Sequence, residues 1–598
     1  MSVALPDLGG SVLEPRRRDL RIAFLIALPL LLAVQWGMLV SGQTPVGDGV
    51  LFGPDAHMRL ERVERLLATG AWYDPSSPRS NAPDGEVLHW TRPLDVLLVL
   101  AAAPARLVTD WRGALFWAAT WYPPALHLLT FVVLLWAALP VVGRSLWLIG
   151  PLMVTQAASN AAFLMGNADH HSLQVVSLAA TIGCLVRLMA VPERAGLAVA
   201  AGVVAGVTLW ISFEGMVPLA ISFAALGGLW LWRGDAALGA NRRFALAVLG
   251  TITFGLAVER PPADWLAAEY DRLSLVQWLP IALVALYWLA ARGASLRARL
   301  VVAGVGGALW LGLVRWLDPV LFAGPLAGID PRIREIWFAA VTETQPLLDS
   351  GNPPIASLIG YLGGVPFGAW ALWRARRRHP APVAYLALLL AAYAALSLFE
   401  VRFVVYAAIM LPVSLAMALD QWNEGPGRRP VPRVAAAFAL TLGFVSLAAL
   451  VGKLEGGFAK SAAVQTCTGW RLARFLETPP WNERSRIVLN PIYWGPELIY
   501  HSRHRVIATP YHRNGAGIAE SHAAMAATDP AAARAWIERR GVELVTLCRT
   551  DISPTWDSIT APDSLYRRLL QDRPPDWLAP VALPPEFARD YLLFAVRR

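Results

Sequence analysis

Carboxylates, imidazoles and one arginine recur in this sequence where its apolar runs stop, and together they could hold a metal ion and a phosphate. Asp55 and His57 stand in Gly-Pro-Asp-Ala-His-Met-Arg, Asp169, His170 and His171 in Asn-Ala-Asp-His-His-Ser, and Glu343 in Ala-Val-Thr-Glu-Thr-Gln-Pro. Oxygen ligands joined by an imidazole suit a divalent cation such as Mn2+ or Mg2+ better than a thiolate metal. Such an ion polarises an acceptor or neutralises a departing phosphate. Arg402 offers the planar donor fork that grips phosphate oxygens. Glu400 is two positions away and on a regular helix faces elsewhere, which argues against a Glu400–Arg402 ion pair. Glu214 sits in a short turn on the same side. Singly, each is an ordinary solvated or capping side chain. As a set converging on one membrane mouth they are costly to place without a use.

The elements that position them are membrane helices. Of 598 residues, 56% are hydrophobic and 16% charged, against about 25% charged in a soluble domain. This excludes disorder, a fibre and a string of soluble domains, and three cysteines exclude a disulfide scaffold. Apolar runs recur near 20–40, 114–139, 145–165, 172–191, 196–212, 214–232, 243–258, 275–291, 299–316, 354–373, 382–399, 402–419 and 433–451. They predict about thirteen spans, several short for a core that needs about 20 residues. The run 94–108, with Pro93 and Pro104 near its ends, reads as re-entrant or surface. The first run follows Arg16–Arg18 and Arg21 and is long enough to span, so it is not read as a cleavable signal.

Alternate loops all carry arginine: Arg16–Arg18, Arg144, Arg187 with Arg194, Arg233 with Arg242 and Arg243, Arg292 with Arg297 and Arg299, Arg374 with Arg376–Arg378, and Arg428 with Arg429 and Arg433. The net charge of +9 is therefore read as positive-inside bias, not nucleic-acid binding. The N-terminus is then cytoplasmic and the C-terminus external. The expected division is a transmembrane domain over 1–452, with loops 41–113, 166–171 and 317–353 carrying the chemistry, and an external α/β domain over 453–598. Strand-like segments lie near 486–490, 505–508, 543–548 and 591–596, with a helix near 531–540. A polar cluster in this tail holds His501, Arg503, His504 and Arg505, then His512 and Arg513. It reads either as a solvated turn or as an acceptor or diphosphate contact. Cys467 and Cys548 share the oxidising side and could pair, whereas Cys184 falls inside a span.

These motifs and their order resemble the catalytic subunit of oligosaccharyltransferase, above all the single-subunit archaeal and bacterial enzymes. The carrying segments are Asp55-Ala-His-Met-Arg-Leu, Gly70-Ala-Trp-Tyr-Asp-Pro, the stretch from Asn81 to Asp95, Asp169-His-His, Ala340-Val-Thr-Glu, and Val401-Arg-Phe-Val-Val-Tyr. The resemblance covers roughly 15–515. It implies a GT-C membrane glycosyltransferase using a polyprenyl-linked sugar donor, with Asp55, Asp169, His171 and Glu343 around Mn2+ or Mg2+ and Arg402 on the donor phosphate. Asp55 and Glu343 are the expected catalytic residues, and His57, His170, Glu214, His512 and Arg513 accessory ones. Two departures stand out. Ala340 replaces the family's Thr or Ser, and the Trp-Trp-Asp-Tyr-Gly motif that reads the N-glycosylation sequon is replaced by Asn490-Pro-Ile-Tyr-Trp-Gly.

The sequence thus predicts transfer of a sugar or glycan from a polyprenyl phosphate or diphosphate to a lipid, glycan or protein acceptor, at the periplasmic face of a bacterial inner membrane. The runner-up is a protein oligosaccharyltransferase. A transporter or flippase is the rival of another class, but its polar groups belong near the midplane rather than at one mouth.

Overall fold

The computed structural model describes residues 17–324, 326–422, 435–436, 439–456, 467–550 and 555–597. Arg16, Arg428, Arg429 and Arg433 lie outside them. Eighteen helices matter here: α1 (Arg17–Val40), α2 (Gly53–Thr69), α3 (Pro93–Ala102), α4 (Trp111–Ala138), α5 (Ile149–Val154), α6 (Ala157–Ala162), α7 (His170–Ala190), α8 (Ala195–Ile211), α9 (Met216–Arg233), α10 (Asp235–Glu259), α11 (Leu275–Ala290), α12 (Leu296–Leu317), α13 (Pro331–Ile336), α14 (Pro354–Leu362), α15 (Val365–Ala375), α16 (Pro380–Phe399), α17 (Val404–Trp422) and α18 (Phe444–Leu454). Among the described residues, eight helical stretches are long and apolar enough to cross a membrane, so the chain is a multi-pass membrane protein.

Eleven of the thirteen expected runs fall on helices, 354–373 on the pair α14 and α15, and some are shorter than a full span, such as α8 and α11. The last run, 433–451, is helical over 435–436 and 439–451, while its residues 433–434 and 437–438 lie outside the described residues. The exception is 145–165, which breaks into a 3-10 turn, α5 and α6. The chain turns extended at Gln156 (ψ 102°). The Asn160 amide then donates to the freed Val154 carbonyl at 2.7 Å. Gln35 of α1 donates to Phe163 O at 2.9 Å and accepts from Met165 N at 3.1 Å. Broken backbone is tolerated at this depth because protein groups satisfy it. The α3 segment stays short, at ten residues.

Burial sorts the spans. In the most apolar window, 89% of the last long span (Val401–Trp422) and 78% of α7 are buried, against 22% at α1 and 6% at α12. The first two form the centre of the bundle and the others face lipid. Close packing of α8 on α10 depends on Gly202 and Gly206. A Cβ at Gly202 would come within 2.5 Å of Phe244 O, and one at Gly206 within 2.7 Å of Thr251 Cβ. This is the small-xxx-small contact of membrane helices. At the opposite end from Asp169, Arg242 donates to Trp288 O at 2.9 Å and Arg299 to Leu231 O at 3.1 Å. Both were expected in loops but lie in the N-terminal turns of α10 and α12, from where they cap the C-termini of neighbouring helices.

The C-terminal unit is a five-stranded sheet. A small hairpin, β1 (Ser76–Ser77) and β2 (Glu86–Val87), precedes it in the chain. Its own strands are β3 (Ile487–Leu489), β4 (Arg505–Val506), β5 (Leu544–Cys548), β6 (Leu578–Pro580) and β7 (Tyr591–Val596), in the order β4-β3-β5-β7-β6. The first three are parallel, and β7 runs antiparallel to β5 and β6. Strand β6 had no counterpart in the sequence reading. Cys467 and Cys548 form a disulfide, Cα atoms 6.0 Å apart, tying the entry of this unit to the end of β5.

The 41–113 loop docks along this sheet. Val506 N donates to Arg79 O at 2.8 Å and Ala82 N to Val506 O at 3.0 Å, so residues 79–82 cover the β4 edge. On the loop's other side, α2 is pinned by Asp95. That fully buried carboxylate accepts from Arg59 at 3.0 Å, Arg62 at 2.8 Å and Arg92 at 3.0 Å. Arg59 also lies over the Trp90 ring, 4.1 Å from its centroid.

Candidate functional site

The N-terminus of α7 is the anchor. Asp169 caps it, and its Oδ1 accepts from His170 N at 2.6 Å. His170 Nδ1 lies 2.6 Å from the same oxygen, and His171 Nδ1 bonds the other. Burial works against ionisation of Asp169, yet His170 and His171 hold it well below the usual carboxylate range. Asp169, His170 and His171 offer ligand atoms all within 4.8 Å of one another.

From His171 the polar chain continues. His171 Nε2 lies 4.0 Å from Glu214 Oε1. Glu214 sits on a 3-10 turn, Phe213–Gly215. The Tyr406 hydroxyl donates to its Oε2 at 2.5 Å and lies 2.8 Å from Gln174 Oε1. Arg402 Nη1 reaches Glu214 Oε1 at 3.5 Å. Arg402 Nε lies 2.7 Å from Glu400 Oε2, an ion pair that the helical spacing argued against. The reason is local: Glu400 is extended (φ −143°, ψ 122°) and Val401–Phe403 form a 3-10 turn, so the two side chains meet.

Two further carboxylates come from the covering loops. Asp55 lies in the first turn of α2, behind Pro54, where the helix dipole favours an anion. Burial, then Asp169 and Glu343, push its carboxyl up to about 7, with the Tyr511 side chain beside it opposing the shift. Glu343 is exposed on the turn Thr342–Thr344. That turn is fastened to the start of the central span, because Val401 N donates to Gln345 O at 2.9 Å. Asp55 and Glu343 are close enough to act on Asp169 and Arg402 electrostatically, but they stand outside the tight trio. The donor set, carboxylate oxygens with imidazole, fits a divalent cation.

The accessory residues divide. His170 and Glu214 belong to the mouth. His57 does not: its Nδ1 donates to Gly53 O at 2.7 Å and its ring packs on Tyr500 and His501, with centroids 5.7 and 5.1 Å away. Burial, opposed only in part by the Gly53 bond, lowers it to about 4. His512 and Arg513 are neither a solvated turn nor part of the Asp169–His170–His171 trio. They reach the connection between α10 and α11, where His512 Nε2 meets Asp271 Oδ2 at 2.6 Å and Arg513 holds both Asp271 oxygens, at 2.5 and 2.7 Å. Arg513 also bonds Glu269. Asp271 and Tyr511 were not singled out in the sequence, and Tyr406 stood there only as the last residue of the Val401–Tyr406 segment. A Glu-Tyr-Asp-Arg stretch at 269–272 in a chain this poor in charge was the available signal for the first.

No protein-family model matches the sequence, and no curated protein matches it. Solved structures do. The apo crystal structure of the Archaeoglobus fulgidus oligosaccharyltransferase is similar at a TM-score of 0.68 and 16% identity, over 89% of this chain and 69% of that one. The archaeal oligosaccharyltransferase AglB from Archaeoglobus fulgidus, in complex with an inhibitory peptide and a dolichol-phosphate, gives 0.67 and 14%, with the same coverages. The complex of the Archaeoglobus fulgidus enzyme with Zn and sulfate gives 0.62 and 14%, over 97% and 73%. The chain therefore has the fold expected of it, that of the GT-C membrane glycosyltransferases, with a small C-terminal sheet unit.

Proposed function

We propose that this chain is a membrane glycosyltransferase that moves a sugar or glycan from a polyprenyl phosphate or diphosphate to a lipid, glycan or protein acceptor at the periplasmic face of a bacterial inner membrane. The observation that carries the reading is convergence: residues 55, 169, 171, 214, 343 and 402 gather at one mouth from five separate segments. Arg402 holds the donor phosphate, exchanging its grip on Glu400 and Glu214 for phosphate oxygens. Asp55 and Glu343 face the acceptor, where their carboxylates orient it. Asp169 and His171, closed by Asp55 and Glu343, would hold Mn2+ or Mg2+, which when bound supplies Lewis-acid stabilisation of the charge that develops.

The sidedness rests on the arginine-bearing loops and on the Cys467–Cys548 disulfide, which belongs to an oxidising compartment. A sequon peptide is the less favoured acceptor. Asn490 is fully buried and donates to Pro491 O and Ala508 O, and Trp494 is buried as well, so neither is presented to a peptide.

The test uses the purified full chain with a polyprenyl phosphate as binding probe and a polyprenyl-linked sugar for single-turnover transfer. Asp55→Asn is expected to lose turnover and keep probe binding, and Arg402→Ala to lose binding. A wild type that neither binds the probe nor releases it from the sugar donor overturns the proposal. The opposite pattern in the two variants reverses their roles.

A further inference from the structure

Apart from the Asp169–His170–His171 trio, three potential ligands meet where three distant segments touch. His89 comes from the 41–113 loop, Asp271 from the α10–α11 connection, and His512 from the C-terminal unit. Their ligand atoms all lie within 4.8 Å of one another. The His89 and His512 rings are 4.6 Å apart, tilted by 50°. His512 Nε2 already lies 2.6 Å from Asp271 Oδ2. His89 Nδ1 is buried and finds no partner, and a buried ring nitrogen without one is costly unless something uses it. Arg513, bonded to both Asp271 oxygens, fixes the carboxylate as outer-shell partners of ligating carboxylates do.

We infer that His89, Asp271 and His512 form a second cation site, selective for Zn2+, which staples the external loop to the C-terminal unit. Two imidazoles and one carboxylate form a known three-ligand zinc set that leaves a fourth position for water. The set has two imidazoles to one carboxylate, as does the tight trio at the mouth. The four residues proposed to hold the ion there, Asp55, Asp169, His171 and Glu343, instead have three carboxylates to one imidazole, so the two ligand sets prefer different ions. Tetrahedral zinc, with bonds of about 2.0–2.2 Å, places ligands about 3.3–3.5 Å apart. Side-chain shifts of about 1 Å bring the present atoms there. The site itself does not depend on the donor, the acceptor or the chemistry proposed at the mouth; only its contrast in ion preference rests on the ligand set proposed there.

The experiment strips the full-length chain in detergent with a chelator. Zinc is then titrated back in buffer containing excess Mg2+, and bound zinc is counted by elemental analysis alongside the thermal midpoint. Wild type is expected to bind one zinc more than His512→Gln or His89→Gln, and Asp169→Asn to keep that zinc. His512→Gln retains a donor toward Asp271, so its metal-free midpoint should match that of the metal-free wild type while the rise on adding zinc is lost. Wild-type zinc counts in both Gln variants overturn the inference. So does loss of all zinc in Asp169→Asn, which would assign the ion to the mouth.

Discussion

The mouth is built in two halves by different means. One half, Asp169 with His170 and His171, Glu214 and Arg402, stands on the ends of α7, α9 and α17, with two of these spans the most buried in the bundle. The other half, Asp55 and Glu343, rides on loops that are held from outside. For Asp55 these holds are the Asp95 knot and the C-terminal sheet. For Glu343 they are a single backbone bond to Val401 and an apolar patch in which Ile333 and Trp337 pack on Ile492 and Ile518. The first half has nowhere to go without disturbing close packing, whereas the second can shift if its fasteners open. On the proposed roles, the groups assigned to the donor are placed by the bundle and those assigned to the acceptor by docking, so that changes in the docked loops would alter the acceptor without rebuilding the core.

The largest expected effect breaks the loop half. Asp95→Ala leaves three buried guanidiniums without their shared anion, which costs about 3–5 kcal/mol. Protease sensitivity of 41–113 should rise sharply, and activity should fall with it. Next is the bundle half: Asp169→Asn should cut turnover by about 10²–10³-fold with little change in the thermal midpoint, since an amide still caps α7. A comparable loss of stability in Asp169→Asn would erase the distinction between the halves. Arg402→Lys keeps the charge and loses the fork, so polyprenyl-phosphate binding should weaken by roughly tenfold, less than for Arg402→Ala.

The smallest effect concerns Glu86, at the joint between the loop and the C-terminal unit. It is buried, and burial pushes its carboxyl from the usual 4.5 up to about 7, against bonds from Ser80 and Thr509 and the nearby Arg513. The protonated form fits the folded joint, so its contribution is fully present below about pH 4.5 and fades as pH rises through about 7. Hydrogen exchange in 79–88 should quicken over that window, and Glu86→Gln should flatten the trend. An unchanged slope in Glu86→Gln would assign the dependence to another group.

Much of this was legible beforehand because membrane burial writes strong signals. Apolar runs, loop arginines and isolated carboxylates in a chain with few charges located the spans and brought together residues 55, 169, 343 and 402 before any coordinates. What escaped depended on local backbone or on partners far apart in sequence. The break after Val154 comes from an Asn160 side chain competing for a carbonyl, inside a run whose hydropathy gives no warning. The Glu400–Arg402 pair needed the 3-10 turn that spacing on a regular helix ignores. Asp271 is 241 positions from His512, and neither residue signals the other. His57 was expected as an accessory residue beside Asp55, but two positions on a helix point apart, and its ring went to the C-terminal unit instead.

The strip of backbone at 79–82 has a practical consequence for handling this protein. It occupies the open side of β4, which would otherwise offer bare amides and carbonyls to any passing strand. A fragment beginning near Cys467 would carry that side uncovered and should stick to copies of itself in the test tube. Grafting residues 76–88 onto such a fragment through a flexible linker would restore its missing neighbour and keep the particles apart.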